Sequence, residues 1–504
     1  MARRGRRSSS DLAAPGGLPD LRAQGGSWAP VSQADAEALA EAAIDILTRV
    51  GVSGAPECLT QVILQAGGSV EGDRLIYPRA LVEDAILHGP NEVLLAGQSP
   101  THDMLVGGSR VFTGTGGAAP NVVDGDTGDF RPSTLSDLHK AARLADALPH
   151  VHFFARSLVA RDIEDPAEFD LATAAASLMG TSKHVMVQAT DPAHVGLIAA
   201  LCYQIAGGEA VFRKRPFLSL NINHAVPPLR LHAESIEVMA EAVRAGIPVH
   251  CNVFGQLGAS SPVTVAGSVA QTLAETLAGV AFVHAVDPRA PRIAGPRPMM
   301  TDLKTGGMAG GAGEQAMATG LAVQVMRHWG MPCSVIAGAT DSKQPDFQAG
   351  YEKALSIDTA IRAGANLVTQ AAGMQAGLMG VSFAAMVGDN DMLGAILRAN
   401  VPPDITTETL ALDAIVEVVN GDGHFLGRPE TYARMRSDFL YPDVADRSSV
   451  EDWSASDRAD MATRAGARAR DLMQAHWPAH LPEAVLEALT RRYGLEHRRS
   501  DDAD

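Results

Sequence analysis

From Thr134 onward, short and continuously apolar runs alternate with stretches whose apolar positions recur every three or four residues. The runs are VHFFARSL (151–158), HVMVQA (184–189), PFLSLNIN (216–223), PVHCNVFG (248–255), AFVHAV (281–286), PCSVIAG (332–338) and NLVTQAA (366–372). Apolar strands alternating with amphipathic helices mean parallel strands covered on both faces. With an eighth strand expected at VSFAAM or in the hairpin near Phe112 (VSFAAMVGDNDMLGAILRAN reads equally as one helix), they predict an α/β fold, a (β/α)8 TIM barrel; a doubly wound open sheet is the alternative. The interval between 286 and 332 exceeds one helix and predicts a long loop rising from a strand end.

Texture changes set the expected boundaries. Residues 1–30, rich in Gly, Pro, Ser and Arg, read as a flexible arm. Residues 31–133 form a helical and hairpin elaboration, 134–427 the barrel, and 428–504 a charged helical extension without strands.

Composition narrows the function classes. The 504 residues carry a net charge of −17, which argues against nucleic acid as partner. Cys58, Cys202, Cys251 and Cys333 are widely spaced with no C-x-x-C, so neither a disulfide scaffold nor a zinc finger is expected, and a cytoplasmic setting is. Arg3-Arg4 and Arg6-Arg7 precede no apolar stretch of the kind a signal peptide has, and no run suggests a membrane span.

Barrel active sites sit at the C-terminal ends of the strands. The residues there are Asn221, Asn223 and His224, then His250, Asn252, Phe254 and Gln256, then His284 and Asp287, then Asp341 and Lys343, then Gln370. His250 and Cys251 point to opposite faces of one strand, and no H-E-x-x-H occurs, so no metal site is expected. GGMAGGAGEQA (306–316) lacks phosphate-loop spacing and reads as a mobile loop near the site. Asp422-Gly423-His424-Phe425-Leu426-Gly427 spells the D-x-H-x-x-G of cobalamin modules, but the strands such a module needs do not follow.

Three long blocks decide the matter: TGGAAPNVVDGDTGDFRPSTLSDLHKAARLADALPHVHFF, GATDSKQPDFQAGYEKAL and GDGHFLG with the later YPDVADRSSVEDW. Over residues 35–480 the chain resembles the trimethylamine methyltransferase family, in particular its pyrrolysine-free branch. The resemblance implies a barrel that moves a methyl group from a methylated amine to cobalt(I) of a separate corrinoid protein, with no cofactor on this chain. A glycine betaine-like quaternary amine is the implied substrate, because a quaternary ammonium departs as a neutral tertiary amine without a general acid. Aromatic faces and a carboxylate can hold such a cation. Phe112, Phe254, Tyr351 and Phe383 are the candidate aromatics, Asp341 the carboxylate, and His250, Asn252 or Gln348 could orient a carboxylate tail. A homo-oligomer is expected. The rivals are a Schiff-base lyase using Lys343 and a non-catalytic betaine-binding protein.

Overall fold

The computed structural model describes residues 22–497 apart from 126 and 422, so expectations for the arginine-rich start lie outside the described residues. The rest of the expected arm is tied to the body: Gly25 N–H donates to the Ser109 carbonyl (2.9 Å) and Trp28 N–H to that of Arg362 (3.0 Å).

Eight short strands organise the protein: β1 (Phe112–Thr113), β2 (Phe153–Ala155), β3 (His184–Val187), β4 (Leu218–Asn223), β5 (Val249–Leu257), β6 (Arg292–Met300), β7 (Ser334–Ile336) and β8 (Leu367–Thr369). One parallel sheet runs β6-β5-β4-β3-β2 and a second β7-β8-β1. Isolated parallel bridges join Gly114 to Phe153 and Ala294 to Cys333, at the two places where the sheets' outer strands meet. The fold is mixed α/β, a curved parallel sheet with helices between its strands. An antiparallel hairpin (Glu92–Leu95 with Met104–Gly107) supplies Val93, Leu95, Met104 and Val106 to a buried cluster with Phe153, Met186, Ile293 and Leu367. Phe153, Ile293 and Leu367 lie at the starts of their strands, so the hairpin plugs the end opposite the strand C-termini.

One expected strand is corrected: AFVHAV is the last part of helix α1 (Val265–Val286), while VSFAAM, readable as a strand or as the start of one helix, opens helix α4 (Phe383–Ala399). Every residue of α1 from Ser268 to His284 is buried. A helix covered all round loses its polar face, and its apolar run then looks like a buried strand. The true strand, RIAGPRPMM, hid behind two prolines and two arginines. The eighth strand is the other expected candidate, at Phe112. By length and composition α1, with mean hydropathy 1.3, could also cross a membrane, but 89% of that window is buried inside the protein.

The long loop expected after a strand end is found. It leaves β6 at Thr301 and returns in helix α2 (Gly313–His328). Helix α3 (Phe347–Ala363) begins where the Asp346 carboxylate accepts the Ala349 N–H (2.9 Å), and ends at Gly364, whose φ of 111° suits glycine. All four cysteines are free.

Candidate active site

A cavity of about 460 Å³ opens at the C-terminal ends of the strands. Strand alternation turns Asn221 and Asn223 of β4, Phe254 of β5 and Gln370 after β8 into its lining, as expected from sequence. Gln370 holds a positive φ of 64°, and its Oε1 is buried without a partner. Asn252 sits just behind the wall, fully buried, its Nδ2 donating to Asn221 Oδ1 (3.3 Å).

His250 lies one step deeper in a buried relay. His184 Nδ1 is 2.8 Å from the Ala96 carbonyl, which can only accept, so Nδ1 carries the proton. His184 Nε2 must then accept from Ser219 Oγ (2.8 Å), and Ser219 accepts from His250 Nε2 (3.0 Å). The His250 Nδ1 lone pair is left buried and unpartnered. Burial holds His184 down at about 4 and His250 well below the usual range, so both rings are neutral.

The cavity's charge comes from residues that the sequence reading passed over. Arg156, directly after β2, and Arg297, in β6, both reach its wall. Burial pulls each guanidinium down to about 10, still fully charged at neutral pH. Arg156 Nη2 donates to Gln188 Oε1, but its Nε is unpartnered, as are Nε and Nη2 of Arg297. No Asp or Glu is among the lining residues. The signal for Arg156 was available, as the polar residue closing VHFFA; Arg297 was lost with its strand.

Other expected site residues fall elsewhere. His284 is at the far end of the sheet, its Nε2 2.7 Å from Asp84 Oδ2 and its Nδ1 2.8 Å from Arg292 Nη2; it was misplaced together with the AFVHAV strand. Phe383 lines a separate crevice with Arg143 and Trp477. Phe112 packs edge-on against His152. Gln348 Nε2 donates to Glu352 Oε1 (2.8 Å), and Tyr351 is exposed with its hydroxyl toward the same carboxylate (3.4 Å). Lys343 Nζ donates to the Asp341 carbonyl (2.7 Å) and does not line the cavity.

Asp341 does stand after a strand end, but its carboxylate is taken by the glycine-rich loop. Oδ1 accepts the Gly310 N–H (3.0 Å) and Oδ2 the Gly311 N–H (3.3 Å). In the same loop Met308 packs in a cluster that includes Phe254 and Leu378, two lining residues. Asp341 therefore fastens a flap beside the cavity. Asp341→Ala should cost about 1–2 kcal/mol of stability through two lost hydrogen bonds and speed proteolysis within 301–312, while substrate KM changes less than threefold. A tenfold rise in KM at unchanged Tm would put the carboxylate on the substrate instead.

Comparison with known proteins bears on what this cavity serves. Residues 1–500 match the family model described as trimethylamine methyltransferase (MTTB). The chain is 29% identical over 470 residues to trimethylamine methyltransferase MttB of Desulfitobacterium hafniense (strain DSM 10664 / DCB-2), covering 93% of this chain and 94% of that one. It is 27% identical over 460 residues to glycine betaine methyltransferase of Desulfitobacterium hafniense (strain Y51), covering 90% and 95%. Among solved structures, the carboxyl transferase domain of Rhizobium etli pyruvate carboxylase with pyruvate aligns over 76% of this chain and 53% of that one, at 11% identity and a TM-score of 0.34. With the family model spanning nearly its whole length, the chain belongs to the trimethylamine methyltransferase family.

Proposed function

We propose that this protein transfers a methyl group from a carboxylate-bearing quaternary amine, a betaine, to cobalt(I) of a corrinoid carried by a separate protein. The reaction takes place at the mouth of a closed (β/α)8 barrel spanning residues 112–427, flanked by the N-terminal elaboration and the C-terminal helical extension. The bridges Gly114–Phe153 and Ala294–Cys333 support closure of the two sheets. The relatives' names, one for trimethylamine and one for glycine betaine, support a methylated amine.

One observation carries the choice between them: Arg297 is a buried cation with two unpartnered donor groups facing a cavity without acidic side chains. Such a charge is costly unless a ligand supplies the anion, and a betaine carboxylate does so with matched, two-pronged geometry. Bare trimethylammonium would only add a third positive charge.

Each group then has a task. Arg297 holds the carboxylate. Phe254 offers its ring face to the ammonium, and Asn221, Asn223 and Gln370 fix the carboxylate and the backbone between. The C–N bond breaks with its electron pair staying on nitrogen, so the product leaves as a neutral tertiary amine and no proton need be supplied. The cobalt(I) of the corrinoid, a co-substrate on its own protein, provides the electron pair for the new bond to carbon. An aromatic wall grips the cation weakly, and this favours a transition state in which that charge is disappearing.

Following cobalt absorbance with a panel of amines tests the reading. Glycine betaine or a longer betaine should be demethylated at least about tenfold faster than trimethylamine, the gain expected of a charge-assisted contact. Trimethylamine outpacing every betaine would overturn it.

A further inference from the structure

Arg156 and Arg297 enter the cavity from β2 and β6, strands separated in the sheet by β3, β4 and β5. Two guanidinium charges only a few ångströms apart at such depth would depress each other. Arg297 is depressed by burial alone, and the charge acting on Arg156 is that of Asp170, which raises it. Neighbouring strands lie about 4.8 Å apart, so the two guanidiniums rise from positions four strand spacings apart along the sheet, a placement suited to two separate carboxylates.

The charge balance points the same way. Two guanidiniums against Asp170 leave the site one positive charge in excess. Asp170 itself is fully buried and shared with Thr190 and His194, to which its Oδ2 is hydrogen-bonded. A betaine with one carboxylate is a zwitterion and leaves that excess in place. A ligand with one ammonium and two carboxylates cancels it, and gives the unpartnered Nε of Arg156 an acceptor as well as Arg297. The cavity, at about 460 Å³, has room for the larger molecule.

We infer that the substrate of this site carries two anionic groups beside its methylated ammonium, the class being N-methylated amino dicarboxylates, with Arg297 and Arg156 each taking one carboxylate. The inference rests on the proposed methyl-transfer reading and sharpens its substrate.

Isothermal titration calorimetry of the full chain with N,N,N-trimethylaspartate and with glycine betaine tests it. The wild type should bind the dicarboxylate tighter by about thirtyfold or more, the usual effect of a buried charge pair. Arg156→Gln should erase that advantage, and Arg156→Lys should retain part of it. Circular dichroism establishes that each variant is folded, and the wild-type comparison stands without either. Equal affinities, or exclusion of the dicarboxylate while glycine betaine binds, would overturn the inference and leave the betaine reading intact. Binding and demethylation of trimethylamine or choline with neither carboxylate ligand bound would overturn both.

Discussion

Arg297→Met should yield a protein that is more stable and nearly inactive. Methionine approximates the length of the arginine stem without its charge, and the arginine has no carboxylate partner among the described residues. Removing an unpaired buried cation is expected to be neutral or to stabilise by about 1 kcal/mol or more. On the proposed betaine reading the substrate carboxylate then loses its buried counterion, worth about 3 kcal/mol, or roughly a hundredfold in kcat/KM. The opposite signs of the two effects mark a functional residue, held at a cost in stability because the reaction needs it. Thermal melts and steady-state demethylation of a betaine, measured on the same preparation, decide it. A variant that melts several degrees lower and turns over normally would make Arg297 a structural residue.

How far the sequence could be read depended on what each position contributes to its own surroundings. Strands β2 to β5 and β7 and β8 were legible because continuous apolar runs flanked by helical periodicity have few other readings. Asn221, Asn223, Phe254 and Gln370 followed from position alone, as polar or aromatic residues closing such runs. β6 was not legible. Its Pro296 and Pro298 remove backbone donors, yet the strand pairs with β5 from Arg292 to Met300, which no local rule anticipates. Losing β6 lost Arg297, and reading the end of α1 as a strand put His284 at the wrong end of the sheet. Asp341 shows a different limit. Its place on the rim was readable, but which of two nearby partners its carboxylate serves, a ligand or the Gly310 and Gly311 amides, depends on the path of a loop 30 residues away in the chain.

The buried histidines make acid the protein's weakness. His139 and His152 are held at about 3, and His184 and His224 at about 4, in each case chiefly by burial; Arg143 adds to the effect at His139 and Lys183 at His152. The hydrogen bonds show why a second proton has nowhere to go. His184 already uses Nε2 to accept from Ser219, and His152 Nδ1 accepts the Thr113 N–H (3.0 Å). His224 donates through Nε2 to the Glu275 carbonyl (2.9 Å), leaving a buried Nδ1 without a hydrogen-bond partner. A histidine whose folded value is depressed contributes stability that is present above its unfolded value of 6.5 and is lost as the pH falls toward 3 to 4. By pH 5 each of the four would have lost about 2 kcal/mol. Glu275 opposes them: burial raises its carboxyl to about 7, so the folded state takes up a proton first and gains stability over the same range. It offsets little more than one histidine, and the net loss from pH 7 to pH 5 should be on the order of 5 kcal/mol. For a chain this long that lowers Tm by about 5 °C. Differential scanning calorimetry at constant ionic strength across that interval measures it, and His184→Gln, which cannot titrate, should flatten the slope by somewhat more than a third. A Tm that holds or rises between pH 7 and pH 5 would mean that the buried rings reach solvent as they protonate, and that the relay beneath the cavity is not closed.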